Sequence, residues 1–180
     1  MPTLNKGSFS LNLGIVQLGG ELSDDDRQCA WELYTELSTR VAVTGKCYDH
    51  ECTNYDGELY IESLISLYKF FQEARNIMRK FPVGKIAGNN KQHLGVMISR
   101  VMDDVLRPFL EKWQVRYRHW WENESNPRLN PIERQKDFPE LKLLLDDWTA
   151  LRWLMRELQK ELVKVYSLVE VGAQKASENS

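Results

Sequence analysis

The chain has 180 residues, of which 42% are hydrophobic and 11% aromatic, which is enough apolar material for one sizeable core in a single domain. This composition excludes a chain that is disordered throughout. A total of 24 basic and 26 acidic side chains gives a net charge of −2, so any binding to nucleic acid or anionic lipid has to be local.

The cysteines and the N-terminal segment indicate a reducing environment. Cys29, Cys47 and Cys52 are an odd number, and residues 1–20 lack the cationic start and apolar run of a secretory signal. No apolar stretch approaches the ~20 residues that a membrane span requires, so we expect a cytoplasmic protein. Cys47, His50 and Cys52 follow a C-x2-H-x-C spacing that lacks the second half of a structural zinc site, and we expect neither a metal nor a cofactor.

Residues 1–22 are predicted to form a short β-like arm. From Ser8 to Leu18 apolar residues alternate with small polar ones, which is the period of a half-buried strand. A lone strand cannot satisfy its own backbone, so the arm is expected to pair within the chain, to lie along the helices or to pair with another copy. Ser23, followed by three aspartates, then predicts a capped start of the first helix.

Two amphipathic helices follow the arm. The first ends near Gly45, and the second runs from Glu58 to Phe81, before Pro82. The segment between them is expected to be a polar surface loop. The residues expected on the buried faces are Ala30, Leu33, Tyr34, Leu37 and Val41 in the first helix, and Tyr60, Leu64, Leu67, Tyr68, Phe71, Ala74 and Met78 in the second.

The segment from Lys91 to Trp121 predicts one long helix around which the others pack. Pro108 removes a backbone hydrogen bond inside it and is expected to kink it. At ~100° per residue, the apolar face comprises Leu94, Ile98, Val101, Met102, Val105, Leu106, Phe109, Trp113 and Trp120. Arg116 falls in the middle of this arc, where its guanidinium must either pair with a carboxylate or reach water past the aromatic rings. We favour pairing together with stacking on Trp113 or Trp120, and Asp146 and Asp147 are weaker candidates for the carboxylate.

A linker with Pro127 and Pro131 leads to the last helix. This helix is predicted to start at Asp137 or Phe138, with Pro139 in its first position, and to end near Val169. Its core stripe comprises Leu144, Trp148, Leu151, Met155, Leu158, Leu162, Val165, Tyr166 and Val169. Trp153 lies on the opposite side and is expected to be exposed.

The order of these elements predicts an all-α protein. We expect an antiparallel four-helix bundle with a long kinked central helix and the short N-terminal β-like arm. The helical domain is expected to span residues 23–171, and residues 172–180 are expected to form a disordered tail because they are small and polar.

The segment from Leu106 to Trp113, LRPFLEKW, is followed by a basic aromatic stretch. In a small all-helical chain this combination resembles the helical accessory proteins of bacterial phage-defence and CRISPR loci, some of which are regarded as divergent HEPN domains. HEPN ribonucleases place an Arg and a His four to six residues apart on the catalytic helix, whereas Arg116 and Arg118 lie closer than that to His119. The resemblance therefore implies binding or assembly without the RNA-cutting pair.

The remaining chemistry also favours a noncatalytic protein. No histidine follows a glutamate by three positions, as it does in di-metal bundles, and no nucleophile has a base nearby in the sequence. We therefore interpret the chain as a helical interaction or assembly protein, with an accessory role in bacterial defence, whose partner is another protein or a second copy. The candidate partner-binding residues are Trp153, Trp113, Arg116, Tyr117, Arg118, Trp120 and Trp121, because Trp, Tyr and Arg dominate interface hot spots. The alternative is an RNA-binding or RNA-cleaving HEPN-like domain that uses the basic aromatic half of the long helix.

Overall fold

The computed structural model describes residues 3–6, 9–12, 24–80 and 94–168, and most of these residues are helical. The all-α prediction is confirmed at this level. The elements are β1 (Thr3–Lys6), β2 (Phe9–Asn12), α1 (Asp24–Thr39), α2 (Val41–Thr44), α3 (Tyr60–Lys80), α4 (Leu94–Arg100), a π-helical segment (Val101–Leu106), α5 (Arg107–Asn123), α6 (Pro131–Arg134), a 3-10 turn (Gln135–Asp137) and α7 (Leu141–Tyr166). In these ranges no helix is long and apolar enough to cross a membrane.

Several predicted features lie outside the described residues. They are the cap at Ser23, the predicted strand from residue 13 onward, the end of the last helix at Val169 and the tail over residues 172–180. Of the predicted strand, residues 9–12 are described as β2, which pairs antiparallel with β1, so that Thr3 is opposite Asn12.

The long helices pack side by side, and consecutive ones are neighbours. α3 lies against α1 and α5, and α7 lies against α5 and α1. Two contacts along each pair of helices give their relative direction. They show that α3 is antiparallel to the helix formed by α4 and α5, and that α5 is antiparallel to α7. The contacting pairs are Met78 with Ser99, Tyr60 with Tyr117, Lys112 with Asp147, and Arg116 with Glu140.

Among the described helices, α1 and α2 pack chiefly on α7 and α3 and not on the helix over residues 94–123, so the prediction that the other helices pack around residues 91–121 was wrong. α7 packs against α1, α2, α5 and both strands. Its buried residues point in several directions, since Ala150, Leu151 and Arg152 are consecutive and all buried. Trp153, predicted to be exposed, is partly buried and packs against the core. A helical wheel for α7 alone cannot show this, because the covering groups come from distant parts of the chain.

The π-helical segment changes the register of α5. Pro108 has no N–H to donate to residue 104, and the N–H of Arg107 donates to the carbonyl of Met102, five residues back. A π turn accommodates one extra residue, so later side chains lie ~100° behind their α-helical positions. Tyr117 therefore enters the core and Arg116 leaves it. This π segment lies immediately before Pro108, and the kink predicted there stays a prediction.

Three smaller predictions also need correction. Val41 is 46% exposed because α1 ends at Thr39 and the backbone at Arg40 is extended. On α3, Phe70 and Ile77 are buried, Tyr68 is 41% exposed, and Phe71 and Met78 are only partly buried. Pro139 lies in a turn before α7, which begins at Leu141 and not at Asp137 or Phe138.

Candidate interaction surface

The end of the molecule where α5 ends and α7 begins contains most of the predicted partner-binding residues. Trp113 and Tyr117 are fully buried and Trp120 is 6% exposed. Their rings surround Phe138, a linker residue, with centroid distances of 6.5, 5.0 and 5.2 Å respectively. These three aromatic residues therefore hold the linker against α5.

The predicted buried arginine is at the surface. Arg116 has 56% of its side chain exposed, so the expected burial was wrong. It does pair with a carboxylate, but this is Glu140 at 3.1 Å and neither Asp146 nor Asp147. Asp147 instead accepts from Lys112 at 2.8 Å and from the Trp113 indole at 2.9 Å. The antiparallel arrangement that suggested an acid from the start of the last helix does hold, but a different acid meets Arg116.

Trp121 and Arg134 anchor the other side of the linker. The Arg134 guanidinium lies 3.9 Å from the centroid of the Trp121 ring, donates to the Ser125 hydroxyl at 2.6 Å and also donates to the Trp121 carbonyl. The Arg134 guanidinium is thus stacked on a ring and donates to two neutral oxygens within the fold. Arg134 therefore stabilises this end of the molecule. Trp121 remains partly buried, and Arg118 is exposed.

Four large apolar side chains are exposed at this same end. Val115 on α5 is 71% exposed and Leu143 on α7 is 55% exposed, while Leu129 and Ile132 in and beside α6 are 38% and 37% exposed. Single exposed apolar residues are ordinary, but four of them within residues 115–143 make this end of the molecule a candidate for contact with protein. We call these four residues the distal apolar surface. A contact role for Arg116, Arg118, Trp121 and Trp153 stays a prediction, whereas Trp113, Tyr117 and Trp120 lie inside the fold.

Within the described ranges the fully buried arginine is Arg152 on α7, which was not among the predicted contact residues. Its side chain is 0% exposed and donates to the Glu58 carboxylate at 2.6 Å. The guanidinium also lies 4.2 Å from the Tyr55 ring centroid. One further nitrogen of Arg152 and one carboxylate oxygen of Glu58 are buried without a hydrogen-bond partner in the described part of the chain. The one available signal was that Arg152 follows the core residue Trp148 by four positions, which places both on one face.

Arg156, one turn after Arg152, holds the loop between α2 and α3. Its guanidinium donates to the carbonyls of Thr44, Lys46 and Asp49. These three acceptors follow one another around the turn after α2, where Gly45 has a φ of 71° that favours glycine. The loop between α2 and α3, which was predicted to be a polar surface segment, is therefore held against α7 by Arg156. Cys52 within this loop is fully buried.

Burial holds one thiol and two phenol groups of the interior in their protonated forms. Burial raises the pKa of Cys29 to about 11 and that of Tyr55 to about 12, and it also raises the pKa of Tyr117. A thiol with such a pKa is a poor nucleophile at neutral pH. Within the described ranges no group of His, Cys, Asp and Glu could hold a metal ion.

The described residues thus form a mostly helical protein with a buried aromatic cluster at one end and exposed apolar residues at the same end. Comparison with protein-family models, with curated proteins and with solved structures finds no match to this chain. Any statement about function therefore depends on the surface chemistry described above.

Proposed function

We propose that the protein is a noncatalytic helical interaction protein that binds another protein or a second copy of itself. The observation that supports this proposal is the distal apolar surface, where Val115 and Leu143 are more than half exposed at one end of the molecule. Trp113 and Tyr117, on the core side of the helix that carries Val115, are fully buried, so this helix is held in place before any partner binds.

The same geometry favours a protein partner over RNA. Stacking on bases requires accessible aromatic faces, and the rings of Trp113, Tyr117 and Trp120 are buried. The basic residues of α5 are also largely neutralised. Arg107 pairs with Asp103, Lys112 with Asp147 and Arg116 with Glu140, which leaves Arg118 as the α5 arginine without a carboxylate partner among the described residues.

We also propose the finer architecture as part of this function. The pairwise packing of α1, α3, α4 to α5, and α7 supports an antiparallel four-helix bundle, and the strands β1 and β2, which lie against α7, support an N-terminal arm. The resemblance of the segment from Leu106 to Trp113 to accessory proteins of phage-defence loci supports a cytoplasmic role in bacterial defence.

The proposal is tested by capture with tagged protein from the native host, comparing the wild type with a double variant, Ile132→Glu and Leu143→Glu. We expect a specific protein to be captured by the wild type and lost with the double variant, because two buried charges at an interface have no partner. Tyr68→Glu on α3 is the matched control, since Tyr68 is similarly exposed at 41%.

Two results would contradict the proposal. One is capture that the control variant and the double variant reduce equally. The other is tight binding of single-stranded RNA with a steep salt dependence, measured by fluorescence anisotropy, which would favour the RNA-binding alternative.

A further inference from the structure

The outer face of α5 carries a single stripe of five exposed residues. Arg107, Glu111, Val115, Arg118 and Glu122 follow one another at intervals of four, four, three and four residues, so they lie on one side of the helix. All five are exposed, and Val115 at the centre is 71% exposed. This side points away from the buried residues Phe109, Leu110, Trp113, Tyr117 and Trp120.

The charges along this stripe alternate in a self-complementary order. Reading from its start, the stripe is basic, acidic, apolar, basic and acidic. If a second copy of α5 lies antiparallel across it, with a two-fold axis beside Val115, Arg107 meets Glu122 of the second copy and Glu111 meets Arg118. Both pairs occur twice by symmetry, and the two valines meet near the axis. A parallel arrangement in register would instead place like charges together.

Most of these charges are available for such pairing. Glu111, Arg118 and Glu122 make no ion pair within the described residues, and Arg107 makes one exposed pair with Asp103. The cations beside the stripe, Lys112 and Arg116, are neutralised by Asp147 and Glu140 of the α7 side. The alternating signs do not suit a polyanion such as RNA, which requires a surface of one sign.

We propose that the outer face of α5 is a self-association surface that pairs antiparallel with the same face of a second copy. This inference rests on the proposed interaction function and specifies one of its two partner classes. α5 is ~25 Å long at 1.5 Å per residue, so the contact is at the small end of protein interfaces. We therefore expect a reversible dimer that forms at roughly micromolar concentration and weakens as salt increases.

Sedimentation velocity over a concentration series tests this arrangement, with the monomer mass of 21.1 kDa as the reference. Glu111→Arg and Arg118→Glu should each weaken the dimer about tenfold or more, because each change creates two like-charge contacts across the axis. The two changes together exchange the charges and restore both contacts, so the double variant should dimerise within about threefold of the wild type. Glu62→Arg on α3 is the control for charge alone, since Glu62 is also exposed.

Disulfide trapping provides a second readout that does not depend on charge. In a Cys47→Ser background, which removes the exposed native thiol, Val115→Cys should form an intermolecular disulfide because the two copies of this residue meet near the axis. Leu143→Cys, which is also exposed but lies on α7, should not.

The outcomes separate this inference from the broader proposal. A wild type that stays monomeric to about 200 μM, or a dimer that neither single charge variant weakens, overturns the α5 interface. In both cases loss of a captured protein with the Ile132→Glu and Leu143→Glu variant would still support the proposed function. Failure of the double charge variant to recover, while it keeps the wild-type melting temperature, also overturns the antiparallel register.

Discussion

Two arginine–glutamate pairs link neighbouring elements of this protein, and they differ in burial. Arg152 and Glu58 are 2.6 Å apart, and their side chains are 0% and 10% exposed. Arg116 and Glu140 are 3.1 Å apart, and their side chains are 56% and 40% exposed. The chemistry of the two pairs is the same, yet water screens one and is excluded from the other, so the consequences of breaking them should differ severalfold.

What covers each pair explains the difference. The loop between α2 and α3 is held over Arg152 by the three carbonyl contacts of Arg156, and the rings of Tyr55 and Trp148 lie against the guanidinium. Gln135 closes the same side, because its amide accepts from the Tyr60 N–H and donates to the Glu58 carbonyl, both at 2.9 Å. Elements from three parts of the chain thus enclose one pair, whereas the other lies at the edge between α5 and α7.

The largest expected effect comes from breaking the enclosed pair. Glu58→Ala leaves the Arg152 cation buried, with a long bond to the Ala42 carbonyl at 3.4 Å, and should cost about 3 to 5 kcal/mol of unfolding free energy. Arg152→Met should cost less, because it removes the charge and keeps apolar volume, while Glu58 keeps the Ser63 hydroxyl at 3.2 Å. Urea unfolding of both variants measures the difference.

Glu140→Ala is the matched control for this experiment, since it removes the carboxylate of the exposed pair. If Glu58→Ala and Glu140→Ala cost the same, the contrast between the two regions is wrong. If Arg152→Met is the more costly of the two enclosed-pair variants, the guanidinium stabilises the core by packing on Tyr55 and not by pairing.

The second expected effect concerns how the loop is held. Arg156→Ala removes three bonds from a charged donor to the carbonyls of Thr44, Lys46 and Asp49, so we expect a loss of about 2 to 3 kcal/mol. Amide hydrogen exchange should increase first in the loop before α3. Lys160→Ala, one turn later and paired only with Glu157 at the surface, should change stability by less than about 0.5 kcal/mol. Faster exchange throughout α7 would show instead that Arg156 supports the helix itself.

The sequence predicted helices better than it predicted which of their sides are covered. The stripes of α1 and α7 were largely correct, since Leu33, Leu37, Trp148 and Leu158 are all buried, because a 3.6-residue period records the side that meets the core. The same period gave the wrong direction for Arg116, because the π segment before Pro108 adds a residue to the turn. Proline indicated an interruption but not its form.

The candidate site was predicted only in part, for a related reason. Trp113 and Trp120 were correctly placed on the apolar face of the long helix, but they were also predicted as partner contacts. The rings of both residues and of Tyr117 are enclosed by Phe138, which comes from the linker. Trp153 is partly buried for the same reason, since α7 is covered on more than one side. Contacts between residues distant in the chain leave no periodic trace in the sequence. A wheel drawn for α7 alone places Arg152 on the face of Trp148 but does not show which groups enclose it.

The third expected effect is smaller and concerns one tyrosine in each region, Tyr55 beside Arg152 and Tyr117 on α5. Tyr55 bonds to the Thr149 hydroxyl at 2.9 Å and donates to the Leu145 carbonyl at 3.2 Å, so Tyr55→Phe should cost about 1 kcal/mol. The Tyr117 hydroxyl is buried and has no hydrogen-bond partner within the described residues, so Tyr117→Phe should be neutral or slightly stabilising. Thermal melting at neutral pH measures both changes.

The same two tyrosines predict an alkaline loss of stability. Burial raises the pKa of Tyr55 to about 12 and raises that of Tyr117, whereas an unfolded chain titrates near the ordinary value of about 10. Above pH ~10 the unfolded chain binds fewer protons than the folded chain, so stability falls as pH rises. Tyr117→Phe should therefore lose less stability than the wild type between about pH 9 and 11. An unchanged alkaline slope would show that Tyr117 ionises as easily in the fold as outside it.

The smallest expected effect comes from the exposed pair itself. Arg116→Met and Glu140→Ala should each change the unfolding free energy by about 0 to 1 kcal/mol, because both side chains are more than a third exposed and hydrated in either state. The double variant should equal either single variant within about 0.5 kcal/mol if the pair is their main interaction. Adding about 1 M salt should remove what remains of the coupling, since screening acts on exposed charges. A coupling between Arg116 and Glu140 that persists in salt would mean that water is excluded from this edge as well. Coverage of α5 by a second copy or by another protein in solution would exclude water in this way.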